Sequence, residues 1–143
     1  MGIEIYHGRP IIYGPGDFVF QIHEMERFPV EVYIQYGVDP DATIEELRPQ
    51  LAAKGRLFEQ RAAWEAFGAV LRFRAGQLDE LRLLPLDLGL DRPLPLRGKP
   101  HLADAEFGRR LIAKVGELSR PYGTAVRYLE GENVGVVDLG GRQ

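Results

Sequence analysis

The chain has 143 residues, 45% hydrophobic and 27% charged, which is enough for one domain with its own core and too little for two. Its formal net charge of -3 lacks the positive field that a phosphate-backbone binder needs, so nucleic acid is not an expected partner. There is no cysteine, which removes disulfides and thiolate metal sites, and no run approaches the roughly 20 apolar residues of a membrane span, so the chain reads as soluble.

The N-terminus lacks the basic-then-apolar layout of a signal peptide, which leaves the compartment open. In chain order, the first predicted element is a hairpin. Two apolar, β-prone runs, Ile3 to Tyr6 and Arg9 to Tyr13, flank His7-Gly8, and a Gly14-Pro15-Gly16 break leads to a third run, Phe18-Val19-Phe20, expected as a strand. A segment this apolar normally lies between other strands, yet only Met1 and Gly2 precede it. Its pairing neighbour is therefore expected outside this chain.

Val30, Tyr33 and Ile34 lie one turn apart and predict a short helix beginning near Pro29. Thr43-Ile44-Glu45-Glu46 fits a capping box, so a second helix should start at Thr43 and run toward Gly55, shortened or bent by Pro49. Arg56 to Ala66 predicts another helical piece against the sheet. From Phe67 to Leu88 the alternation of Ala69, Leu71 and Phe73 with Val70, Arg72 and Arg74 predicts a hairpin with its turn at Ala75-Gly76-Gln77. An odd-length loop with Gly76 left-handed would oppose Leu71 to Leu81 and Arg72 to Glu80.

Asp87 to Leu102 holds Pro93, Pro95 and Pro100 and cannot pair continuously. Asp104 then caps a helix whose Phe107, Leu111, Ile112, Val115 and Leu118 share one face. Ser119 to Gly123 stops it, and Thr124 to Tyr128 with Val134 to Leu139 predict a closing hairpin. The expected class is α+β: short β-hairpins packed with two to four helices in a single domain over residues 1–143.

No catalytic constellation emerges from residue types alone. His7, His23 and His101 make no metal-ligand spacing with one another, and each sits where an exposed imidazole is ordinary. His23-Glu24 with Glu26 would place a base beside carboxylates, but no orienting partner is visible, and a solvated strand-to-helix corner explains the same residues. Gly14-Pro15-Gly16-Asp17 lacks the Lys-Ser/Thr pair of a phosphate-binding loop and reads as a turn. Arg72, Arg74, Arg82, Arg92, Arg97 and Lys99 face Asp79, Glu80 and Asp87, so a polyanion site is weighed against a solvated face of cross-strand ion pairs, and the pairs are favoured.

Read together, Gly2-Ile3-Glu4-Ile5-Tyr6-His7-Gly8-Arg9-Pro10-Ile11-Ile12-Tyr13 and Gly16-Asp17-Phe18-Val19-Phe20 resemble a segment of the CapA-type bacterial capsule-synthesis family, the poly-gamma-glutamate capsule proteins. That family is related to calcineurin-like metallophosphoesterases. Its pattern there is approximately Ile-Glu-x-Tyr-x-Gly-Arg-Pro-Ile-x-Tyr-(Ser/Gly)-Leu-Gly-Asn-Phe-x-Phe. Leu83-Leu84-Pro85-Leu86 and Leu118-Ser119-Arg120-Pro121-Tyr122-Gly123-Thr124 extend the likeness over the rest of the chain.

The resemblance implies the C-terminal part of a metallophosphoesterase-like fold, acting in capsule or poly-gamma-glutamate synthesis at the cell envelope. It further implies a divalent metal such as Mn or Zn held by an N-terminal portion. The family's Asp-x-His, Gly-Asp, Gly-Asn-His and Gly-His-x-His ligand motifs belong upstream and are absent here, and Asp17 replaces the family's Asn, exchanging an amide donor for an acceptor. The partner expected is that missing metal-binding portion or a second copy of the chain. No catalytic or metal residue is assigned; Tyr13, Asp17 and His23 are the pocket candidates, since the end of the first sheet would face the metal half. The alternative is a non-catalytic interaction or oligomerisation domain that uses an exposed edge strand.

Overall fold

His7 (φ 47°) and Gly8 (φ 73°) both take the left-handed conformation that a two-residue hairpin turn demands, and they join β1 (Gly2–Tyr6) to β2 (Arg9–Tyr13). These values come from a computed structural model that describes residues 1–21, 24–54 and 60–140. Two strands alone are marginal in water, so the hairpin depends on what it leans against. Ile3 supplies the anchor: its side chain is fully buried and its N–H donates to Ser119 Oγ at 2.9 Å, while that hydroxyl donates to the Val115 carbonyl at 2.6 Å. Replacing Ser119 by alanine is expected to leave the Ile3 N–H buried without a partner. The expected loss is about 1–3 kcal/mol of stability, read as a lowered Tm.

The expected third strand is not formed. Gly14 (φ 76°) and Gly16 (φ 94°) swing the chain away from β2 and lay Pro15 against the main sheet, where its carbonyl accepts from Phe67 N–H at 2.9 Å. Beyond it, Phe20 N–H makes a single bond to the Gly98 carbonyl, and Phe18 and Val19 stay exposed. Among the described residues, that bond is not part of a strand ladder.

α1 (Val30–Tyr36) and α2 (Ile44–Lys54) share a small apolar cluster of Phe28, Tyr33, Tyr36, Ile44 and Leu47. Pro29 precedes α1 and Gly37 (φ 71°) ends it, as proline's fixed φ and glycine's freedom favour. Of the two effects expected of Pro49, shortening does not occur, since α2 runs on to Lys54. The proline removes one donor, but Glu45, whose carbonyl loses that bond, is exposed and can be hydrated.

At the start of α2 the Glu46 carboxylate accepts both the N–H (2.8 Å) and the hydroxyl (3.0 Å) of Thr43. Those bonds, the backbone one first, hold its carboxyl below the usual range. A depressed carboxylate stabilises the fold above its ordinary value, about 4.3, and that contribution is lost as pH falls through the lower folded value. The Thr43 amide resonance is expected to titrate in that acidic window.

Arg61–Trp64 forms a 3₁₀ turn, and Glu65 and Ala66 already belong to β3, so the helix expected over 56–66 is replaced at its C-terminal end; residues 55–59 lie outside the described residues. β3 (Glu65–Arg74) and β4 (Gln77–Asp87) pair with Leu71 opposite Leu81 and Arg72 opposite Glu80, as the alternation predicts. The odd count does not come from the loop. Ala75 (φ 50°) and Gly76 (φ 75°) make a two-residue turn, and the register shifts by one between Arg72 and Phe73, leaving Asp79 of β4 as the extra residue of a bulge.

The Pro-rich connector runs through a 3₁₀ turn at Leu94–Leu96 and returns as β5 (His101–Leu102), a two-residue partner of β4. Asp104 Oδ1 accepts Phe107 N–H at 2.8 Å and caps α3 (Ala105–Ser119). Phe107, Leu111, Ile112 and Val115 of α3 bury against Leu81, Leu83 and Val137, with Ile3 and Phe67 beside them. Leu118, expected on that face, is exposed; Ser119 takes the buried position four residues after Val115 and serves β1.

β6 (Val126–Leu129) and β7 (Val134–Val137) close the chain, giving a main sheet ordered β3-β4-β7-β6 with β5 beside β4. The fold is α+β. No described helix is long and apolar enough to cross a membrane.

Candidate functional site

β7 pairs with β4 only at Arg82–Val136 and Leu83–Gly135. Past that point the chain turns toward β6, where Asp138 N–H donates to the Ala125 carbonyl at 2.9 Å. The first half of β4 therefore stands apart from residues 137–140, and the tip of the β1–β2 hairpin borders the gap. The result is a cleft of about 1270 Å³. Ile5, Leu78, Val137 and Leu139 supply its less exposed apolar part; Arg72, Arg74, Asp79, Glu80, Arg127 and Asp138 supply its polar part, with His7 from the turn.

The charges in this cleft are largely spent on one another. Asp79, carried inward by the bulge, accepts from Arg72 Nε at 3.1 Å and lies 3.6 Å from Arg74 Nη2. Glu80 meets Arg72 Nη2 at 3.4 Å and Arg82 Nε at 2.8 Å, and Arg82 also reaches Glu132. The bond to Glu80, then that to Glu132, raises the Arg82 pKa further. The arginines weighed as a polyanion face at Arg72, Arg74 and Arg82 are thus met by carboxylates of β4 and by Glu132 of a neighbouring turn.

Of the pocket candidates, Tyr13 ends β2, donates its hydroxyl to Glu4 Oε2 at 2.6 Å and stacks on Tyr122 with ring centroids 4.9 Å apart. The bond to Glu4 raises its pKa, so the phenol keeps its proton and is a donor, not a base. Asp17 is exposed on the loop beside the start of β3, and His23 lies outside the described residues. Neither Tyr13 nor Asp17 lines the cleft, and the structure does not bring them together on it.

Of the other histidines, His7 lies edge-on to Tyr6 at 4.3 Å; His101 sits opposite Asp87, its Nε2 buried without a hydrogen-bond partner among the described residues. Among the described residues no three His, Asp or Glu side chains are grouped so as to hold a metal ion. The described residues thus offer no donor set for the divalent metal that the CapA-type resemblance assigns to an N-terminal portion, and no chemical step is assigned to it here.

Two features escaped the sequence reading. One is the cleft, which exists because β7 leaves β4 early; the odd register at Asp79 was its only trace. The other is Glu65, whose side chain is 6% exposed at the head of β3 and meets Lys114 Nζ at 2.8 Å and Arg110 Nη2 at 3.3 Å from α3.

No family model matches the chain. It is 35% identical over 149 residues to two proteins of Sinorhizobium fredii (strain NBRC 101917 / NGR234), uncharacterized protein y4sH and uncharacterized protein y4uA. In each case the alignment covers 96% of this chain and 31% of the relative. The chain thus spans about a third of the length of the curated relatives it matches.

Proposed function

We propose that this chain is the C-terminal portion of a larger CapA-like protein of capsule or poly-gamma-glutamate synthesis. In that role it completes the sheet and substrate cleft of a metallophosphoesterase-like domain without being catalytic by itself. The observation that carries the larger-protein part of the reading is the pairing of nearly full coverage of this chain with 31% coverage of relatives about three times as long; the CapA-like part rests on the hairpin motif alone. The hairpin motif around His7-Gly8 supports the family, and the structure supplies a surface suited to the role. At β1 the Ile3 N–H is taken by Ser119, while Ile5 borders the cleft beside a length of β4 that β7 leaves unpaired. An incoming strand from the metal-binding portion would lie there; Tyr13, Asp17 and His23 remain the proposed pocket residues toward that portion, Tyr13 and Asp17 apart from the cleft itself. The Mn or Zn ion belongs to that other portion.

The in-frame coding sequence upstream of Met1 tests this directly. It is expected to specify Gly-His-x-His ahead of the hairpin; a stop codon in frame, or an unrelated domain, overturns the reading.

A second reading, a non-catalytic interaction or oligomerisation domain acting through an edge strand, is favoured by one observation. Among the described residues the outer edge of β3 beyond Gly68 pairs with no strand, and Val70 and Phe73 on it are 49% and 58% exposed.

A further inference from the structure

We infer that the distal half of β3 pairs antiparallel with the same strand of a second copy, in one register, with Leu71 opposite Leu71. This deepens the second reading above by naming the edge, the partner and the alignment.

The direction of the backbone groups comes first. Phe67 N–H points away from β4, since it donates to Pro15 on the outer side. Alternation carries the same outward direction to Ala69, Leu71 and Phe73. Pro85, which has no N–H to give, stands opposite Phe67, consistent with a pair not bonded across β3 and β4. The loop at Pro15 and Gly16 covers only the first part of this edge. From Ala69 to Phe73 no strand of the chain lies beside it among the described residues.

Edges left open in folded proteins are usually blunted by proline, by a lone inward charge or by a bulge. The hairpin's own outer edge has such a guard: Pro10 stands on β2, and the Ile12 carbonyl is occupied by Gly14 N–H at 3.0 Å. β3 has none. Its bulge sits in β4, at Asp79, so the outer strand stays regular.

The side chains then select the partner and register. With Leu71 opposite Leu71, Ala69 faces Phe73 and Phe73 faces Ala69, a small residue against a large one on each side. All three outward-pointing residues of each copy meet outward-pointing residues of the other. On the reverse face Arg72 opposes Val70, and Arg74 opposes Gly68. Moving the centre to Arg72 would set two guanidinium groups face to face, which is unfavourable. Moving it to Val70 would oppose Phe73 to Phe67, whose N–H is already used by Pro15. The diagonal approach of Arg72 to its copy is relieved because each is held by Asp79 and Glu80 of its own chain. A strand that complements itself in charge, size and hydrogen-bond parity fits a second copy of this chain.

The chain has no cysteine, so register can be read by crosslinking. Opposed residues of a hydrogen-bonded antiparallel pair stand about 5.5 Å apart at Cα, within disulfide reach. Val70 stands two residues, about 7 Å along the strand, out of line with its own copy and beyond that reach. Light scattering of the unaltered chain is expected to give twice 16.1 kDa at tens of micromolar. Leu71→Cys is expected to oxidise to a covalent dimer, Val70→Cys to remain uncrosslinked, and Leu71→Lys to run as a folded monomer with unchanged circular dichroism. A monomer for the unaltered chain sinks both this inference and the second reading. A dimer that tolerates Leu71→Lys, or in which both cysteine variants crosslink equally, sinks this inference alone, and none of these readouts depends on metal or turnover.

Discussion

Gly16→Ala is expected to lower the unfolding free energy by about 3 kcal/mol, the sum of a backbone and a steric cost. Gly16 has φ +94°, a region that side chains rarely enter. A Cβ there would also come within 2.5 Å of the Glu65 carbonyl oxygen and 2.9 Å of the Ala66 Cα. Neither atom can yield cheaply, because the backbone at the head of β3 is fixed by the Pro15–Phe67 bond and by the Leu88–Trp64 bond beside it. Gly14→Ala is the control: its φ is +76°, but nothing lies within 4 Å of the added carbon, so only the backbone cost of about 1 kcal/mol applies. Urea unfolding of the two variants should separate by the steric contribution. Equal losses would mean that the loop is not held against β3.

The second large effect lies on the other side of the same backbone. Replacing both Arg110 and Lys114 by alanine leaves the Glu65 carboxylate buried at 6% exposure without a cation, and is expected to cost about 3 kcal/mol. Each single replacement is expected to cost about 1 kcal/mol or less, because the remaining cation still serves the carboxylate and both cations are themselves partly exposed. The double variant should therefore lose more than the two singles together, the mark of residues sharing one partner. Strict additivity would show that the carboxylate relaxes to water when a cation is lost.

What was legible in the sequence followed local pattern, and what was missed depends on contacts between distant segments. Periodicity identified α3 and the β3–β4 hairpin because each has a partner adjacent in sequence or a long repeating apolar face: Phe107, Leu111, Ile112 and Val115, or Leu71 opposite Leu81. Thr43 and Glu46, and Asp104, announced their helices through residues that cap. The sequence reading failed at Phe18-Val19-Phe20, where β-prone residues suit a strand but two left-handed glycines direct the chain across β3. It failed at Leu118, because the position facing β1 had to hold a hydroxyl for the Ile3 amide. It mistook the bulge at Asp79 for an odd loop, since both give the same pairing at Leu71. The cleft was the least legible feature, as it depends on where β7 parts from β4 and not on any local pattern. Tyr13 donates its hydroxyl hydrogen bond to Glu4, and Asp17 is an exposed loop carboxylate.

The claim that chemistry resides in another portion of a longer polypeptide is tested most directly by metal titration and phosphoesterase assay of two proteins side by side. One is this chain alone; the other is the chain joined to its in-frame upstream sequence. With Mn or Zn and a chromogenic phosphodiester, the longer protein is predicted to bind metal stoichiometrically and turn over, and the 143-residue chain to do neither. Tight stoichiometric metal binding with turnover by the 143-residue chain would contradict the account.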